Sequence, residues 1–431
     1  MTYTELPNQG VVFWPVGNGD STTVVVDADH VLQIDIHDQV AADDDDAVVA
    51  PVIDRLAEIL PRTSDDQPYL SVFALTHADV DHCRGFGDLL DSDIVIGELW
   101  ATPRLWRELS DDAELVEDAQ RFQDEAERRV EATLKAVKAG KEPASGDRIR
   151  IIGYDLDEDD HAYCDLSADY RTYPGEEITT MDGDDVSDHL SAFVHAPFKD
   201  DCAGARNETS LALHLTLQHP DHEDSGGVLL FGDLSYETIK KIFTYSAPKR
   251  PERLAWDVML ASHHGSKKVM YAPDDDGDEE LKQDILDMFE DAAGENGYVV
   301  ISSRPFRDVD PKSANPPHLQ ARDAYDDIAP TDVLCTGEYP DADDPRPVVF
   351  ELVEGVGLQL LDVEEASERA VASRSGAQIL KSLAMTAAVA GTARIAAHRA
   401  RRAGLEGARA AVKDARGGEP ESLPAVGFGQ H

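Results

Sequence analysis

The stretch THADVDHCRG, residues 76–85, decides how this chain is read, because it places His77, Asp79, Asp81 and His82 within six positions. It grows out of LSVFALTH at 70–77, a continuous apolar run of the kind that forms a strand buried on both faces. A loop leaving such a strand can turn several side chains toward one point. Histidine offers a neutral nitrogen and aspartate an anionic oxygen, the donor set of a divalent cation. Gly85 follows where the backbone must turn sharply into a helix. A helix cap would account for one aspartate here, but not for this density of ligand-type residues.

Working outward, two later clusters have the same design. FGD at 231–233 ends an apolar run with a carboxylate, Asp233, and ASHHGSKK at 261–268 ends the next with His263 and His264. The series His-x-Asp-x-Asp-His, Gly-Asp, His-His-Gly-Ser resembles the metallo-β-lactamase superfamily, and within it the soluble hydrolase domain of the ComEC competence proteins. VGNGDS at 16–21, LQIDIHD at 32–38, NETSLALHL at 207–215 and NPPHL at 315–319 resemble further motifs of that family. The resemblance spans roughly residues 10–362 with interruptions. It implies an αββα sandwich and metal chemistry. The membrane segments of ComEC are absent, so it does not imply DNA uptake.

Carried over by position, the resemblance implies that His77 and Asp79 serve one metal ion and Asp81 and His82 a second. Asp233 would bridge them, and His263 or His264 would complete the second site. Two ions ~3.5–4 Å apart would share a water, bring its pKa toward neutrality and use the resulting hydroxide on a phosphorus or carbonyl centre. Asp81 and His318 are the candidate catalytic residues, His318 as proton donor or phosphate contact. Ser266, Lys267 and Asn207 are candidate substrate contacts, with Lys268 beside them, and Ser210 could order the loop near the metals. Asp20 and Asp35 read as supporting or turn residues, and Cys83 as a small buried side chain. The chain departs from the superfamily in two ways. It has Asp79 where histidine is usual, and only His195 and His214 stand near the place of a further strand-borne histidine ligand, where a sheet histidine bonded to its own surroundings is the simpler reading. An added carboxylate hardens the site, so manganese or magnesium joins zinc among the expected ions.

The rest of the chain fits a layered α/β domain at 1–364 with an Ala/Arg-rich tail at 365–431, helical or disordered. Short strands open it, residues 107–139 read as solvated charged helix, and the Asp-rich stretch at 155–190 reads as a surface insertion. Lys plus Arg total 39 against 86 Asp plus Glu, a formal charge of -47. That field repels nucleic acid and anionic lipid in ordinary buffer and suits a high-salt cytosol, with binding of cationic partners the competing account. Cys83, Cys164, Cys202 and Cys335 form no Cys-x-x-Cys pair, no secretory signal opens the chain, and SLAMTAAVAGTA is too short to span a bilayer. A cytoplasmic hydrolase of phosphodiesters, as nuclease or small-molecule phosphodiesterase, is the leading expectation. An ester, thioester or lactone hydrolase with an apolar pocket near Trp100 and Trp106 is the alternative. A phosphodiesterase would instead use Lys267, Lys268, Arg304 or Arg307. A non-enzymatic scaffold is a third reading, its tail, like that of the enzyme, open to a partner or to self-association.

Overall fold

The computed structural model of the chain describes residues 6–39, 48–107, 115–156, 160–201, 205–220, 224–274, 276–307 and 315–361. The tail at 365–431 lies outside the described residues, as do Cys202 and the apolar SLAMTAAVAGTA stretch.

Two sheets face each other. The first runs, in hydrogen-bonded order, through Gly357–Leu360, Val348–Val353, Gly10–Phe13, Thr22–Val25, Val31–Ile34, Tyr69–Ala74, Val95–Ala101, Arg148–Ile152 and Arg171–Thr172. The second runs through Asp332–Cys335, Ala293–Ile301, Trp256–Leu260, Ser225–Leu230, Ala212–Gln218, Leu190–Ala196 and Glu177–Ile178. Side chains alternate across each strand, and the alternation sorts the apolar residues into three layers. Val11, Phe13, Leu32, Val72 and Ala74 meet Leu213, Leu215, Val228, Val258 and Val300 between the sheets. Val12, Trp14, Phe73, Leu99 and Ile149 face the other way, against helices Val52–Ile59, Phe86–Asp91 and Glu117–Lys138. Leu229, Met259, Val299 and Ile301 do the same for the second sheet, against helices Tyr236–Ser246, Gln283–Ala292 and Leu319–Ile328. Helix, sheet, sheet, helix is the αββα sandwich the motifs imply.

Two expectations are refined. The charged region near 107–139 contains one helix of 22 residues, and it is not simply solvated: Ala119, Phe122, Ala126, Arg129, Val130 and Thr133 are buried along one face. Nor does the acidic insertion sit only on the surface. It supplies an edge strand to each sheet and buries Tyr163, Met181 and Asp182. Asp182 accepts from the Tyr69 hydroxyl at 2.6 Å, while the Asp182 amide donates to Glu98 at 2.8 Å. Acidic residues thus face water while a few apolar and bonded side chains pin the insertion down.

The motifs all fall at one end of the sandwich. Strand Tyr69–Ala74 runs parallel to Val31–Ile34 and to Val95–Ala101, and Ser225–Leu230 runs parallel to Trp256–Leu260. The carboxyl ends of parallel strands lie together, so Asp35, residues 76–82, Asp233 and residues 262–264 arrive side by side.

Candidate metal centre

The first motif is shaped by what holds its backbone. Asp79 precedes the short helix Val80–Cys83 but makes no side-chain cap to it, so its carboxylate is not used as the ordinary helix start would use it. Gly85, at φ 90°, turns the chain into helix Phe86–Asp91. Asp118, from the first turn of the long helix, accepts from the Gly85 and Gly87 amides at 3.0 and 2.9 Å and fixes that turn. His82 is completely buried and His77 nearly so, whereas the side chains of Asp79 and Asp81 are 32% and 34% exposed. The centre therefore opens over the two aspartates.

Asp233 stands in the middle. Its Oδ1 lies 3.1 Å from His82 Nε2 and 3.6 Å from His264 Nε2, and that same His264 nitrogen is 3.3 Å from Asp81 Oδ2. Its Oδ2 lies 3.8 Å from His77 Nε2 and 3.7 Å from His263 Nε2, with Asp79 Oδ2 3.7 Å from the same His77 nitrogen. One carboxylate thus presents an oxygen to each of two His/Asp groups. The paired histidines diverge because the backbone does: His263 has φ 52° and ψ 48°, and His264 has φ 53°. Left-handed conformations at side-chain-bearing residues cost of order 1–3 kcal/mol each. The turn is held in place by the His263 amide and the Ser262 hydroxyl, both donating to the Gly232 carbonyl.

A second ring of residues orients these groups. Asp35, itself at φ 55°, accepts from the Thr76 amide and hydroxyl at 2.7 and 2.6 Å, and its Oδ2 is 2.7 Å from His82 Nδ1. Asp20 Oδ1 is 3.3 Å from His264 Nδ1. The Asp35 carboxylate fixes which ring nitrogen of His82 faces inward, the usual support of a ligating histidine, while Asp20 sets a negative charge beside the outer nitrogen of His264. Asn207 donates to Asp233 Oδ2 at 3.3 Å, and Ser210 Oγ lies 3.3 Å from His77 Nδ1.

The residues fit a cation. His77 Nε2 and both ring nitrogens of His264 are buried without a hydrogen-bond partner among the described residues. The 3.6–3.8 Å separations from the facing carboxylates exceed hydrogen-bond length. Two donors ~2.0–2.2 Å from a shared tetrahedral ion sit roughly 3.4 Å apart, close to these spacings. Asp20, His82, Asp233 and His264, all buried, each bring one ligand atom to within 4.8 Å of the others. The electrostatics agree. Burial alone would lower the pKa of His82 and His264. Instead Asp233 and Asp35 hold His82 well above its ordinary value, and Asp233 and Asp20 push His264 up to about 10. Asp233, whose burial favours the neutral form, is held well below the carboxylate range by His264 and His82. Positive charge is wanted here.

Other candidates stand elsewhere. Ser266 accepts from the Lys268 amide at 3.3 Å and caps its own turn. Lys267 reaches Glu279 at 2.6 Å. His318 is buried against the same turn, its Nδ1 accepting from the Lys267 amide at 3.3 Å. His195 and His214 do not enter the cluster; their Nε2 atoms lie 2.8 and 2.7 Å from the carbonyls of Arg253 and Ala255. Trp100 lies between the sheets and Trp106 packs on Tyr163, so both are buried among the described residues. Cys83 is a small buried side chain, its thiol pushed up to about 12 by burial and Asp118. Two residues not singled out by the sequence border the centre. Arg206 pairs with Asp79 at 3.0 Å. His37 is buried, its pKa lowered to about 4 by burial and by Arg84.

No family model and no curated protein matches the chain. Among solved structures it is similar to the metallo-β-lactamase fold protein YhfI from Bacillus subtilis, at 11% identity over 79% of this chain and 99% of that one, with a TM-score of 0.38. It is also similar to a B3 metallo-β-lactamase described as the first with an active-site glutamic acid, at 12% identity over 60% and 77% of the two chains and a TM-score of 0.30. The class B3 di-zinc metallo-β-lactamase LRA-12, from an Alaskan soil metagenome, is similar at 13% identity over 67% and 89%, with a TM-score of 0.28.

Proposed function

We propose that this chain is a metal-dependent hydrolase of phosphodiesters, a nuclease or a small-molecule phosphodiesterase of the ComEC-like kind. The observation that carries the reading is the division of Asp233, with one oxygen toward His82, His264 and Asp81 and the other toward His77, His263 and Asp79. His77, Asp79 and His263 would hold one divalent ion, Asp81, His82 and His264 the other, and Asp233 both. Zinc or manganese, with magnesium as a further choice, would supply an activated water and stabilise charge developing on the substrate. The chain's own residues do the rest. Asp35 and Asp20 keep the His82 and His264 rings oriented, the part-exposed Asp79 and Asp81 mark the approach, and the apolar layers below exclude bulk water. His318 Nδ1 accepts from the Lys267 amide, which leaves Nε2 to carry the ring proton, and His318 is the proposed hydrogen-bond donor to a substrate phosphate oxygen.

A phosphodiester suits the cations at the opening. Lys268 is exposed and its charge reaches His263, and Arg304 is exposed beside the Gly17–Asn18 turn. An acyl substrate would want apolar walls, and Trp100 and Trp106 are core residues. The test is turnover of bis-p-nitrophenyl phosphate against p-nitrophenyl acetate, with zinc or manganese, at low and molar salt. Phosphodiester turnover that Asp81→Ala nearly abolishes is expected. Turnover of the ester alone would overturn the substrate class.

A further inference from the structure

One short turn touches three of the candidate ligands: His77 and Asp79 of one half of the centre, and the shared Asp233 through the oxygen that faces that half. Arg206 precedes the 3₁₀ turn Asn207–Thr209, and its carbonyl accepts from the Thr209 amide and hydroxyl at 3.0 and 2.7 Å. From this turn, Arg206 NH1 meets Asp79 Oδ1 at 3.0 Å, Asn207 Nδ2 meets Asp233 Oδ2 at 3.3 Å and Ser210 Oγ meets His77 Nδ1 at 3.3 Å. Ser210 Oγ also accepts from the Asp233 amide at 3.2 Å. A Cβ at Gly232 would fall 2.8 Å from Ser210 Cβ, so the glycine lets the two turns close on each other.

Asp79 is a ligand that needs holding. It is 32% exposed, it makes no cap to the helix it precedes, and its two oxygens point to different partners. Oδ2 faces His77 Nε2 at 3.7 Å, and Oδ1 faces Arg206. A free aspartate at a surface turn rotates among rotamers and can bind an ion through one oxygen or two. A guanidinium on one oxygen removes that choice and keeps the other aimed inward. Resting on the two-ion reading above, we infer that Arg206 is a positioning residue that fixes Asp79 as a single-oxygen ligand of the His77 half of the centre. The turn at 206–210 is then a three-point brace for that half. The His82 half has separate braces in Asp35 and Asp20.

The consequence is a split in metal affinity. Titrating the chelator-treated full chain with manganese, by calorimetry, should resolve two binding events in the wild type. Arg206→Ala should weaken one of them roughly 10–100-fold, the size expected for loss of a residue that orients a ligand, and leave the other unchanged. Arg206→Lys should restore part of it. In an Asp79→Asn background the Arg206→Ala change should have no further effect, and with substrate it should lower kcat more than it raises KM. Circular dichroism and the melting temperature of the metal-free variants should match the wild type. Two unaltered binding events in Arg206→Ala, or an equal loss in the Asp79→Asn background, would overturn the role of Arg206 and leave the two-ion reading standing. A wild type that binds no manganese or zinc would overturn both.

Discussion

At Asp35 a single buried carboxylate uses both oxygens to hold other residues: Thr76 through its amide and hydroxyl, and His82 through Nδ1. The sequence marks this aspartate as a support and not a ligand, and the geometry shows what it supports. Asp35→Asn keeps the shape but can lose the anion that fixes the His82 tautomer. It should weaken metal affinity roughly 10–100-fold, as read by calorimetric titration; unchanged affinity would remove Asp35 from the centre. The ligand-type residues were legible because His77, Asp79, Asp81, His82, Asp233 and His264 are dense in sequence and sit just after apolar runs. The divergence of His263 from His264 was not, since it depends on two consecutive positive φ values. Arg206 was hidden for another reason. Its partner Asp79 is 127 positions away, and nothing local distinguishes it from a surface arginine.

Strands Leu190–Ala196 and Ala212–Gln218 carry His195 and His214, and burial lowers their pKa values to about 3 and about 4. Both rings are neutral in the folded chain, and both take up a proton below about 6.5 when unfolded. Stability linked to them is therefore complete above that pH. It falls as pH drops toward 4, by about 1.4 kcal/mol per unit for each histidine. His214→Gln keeps a donor for the Ala255 carbonyl and removes the titration. Urea unfolding in chelator should show it losing about 1 kcal/mol less than the wild type between pH 6 and pH 5. An equal loss would contradict the assignment. Strand and helix order were readable because continuous apolar runs alternate with helical spacing. The buried residues of the insertion, such as Tyr163 and Met181, escape a sequence reading because they are too scattered among acids to form a periodic signal.

Across the whole molecule the charge of -47 is repulsive wherever it is not screened. The described structure answers part of it with ion pairs, many of them exposed, such as Arg121 with Asp91 and Arg128 with Asp147. Exposed pairs contribute little, so salt is the larger lever. The melting temperature should rise with potassium chloride into the molar range; a flat or falling curve would set aside the high-salt reading. The layered architecture follows from the strand pattern, and it brings Asp35, residues 76–82, Asp233 and residues 262–264 to one end of the two sheets. Everything proposed for function rests on that convergence holding two cations around Asp233. Elemental analysis of the purified chain tests it most directly. Two divalent ions per wild-type chain, with at least one lost in Asp233→Ala, is the predicted result. Full metal content in Asp233→Ala, or none in the wild type, would contradict it.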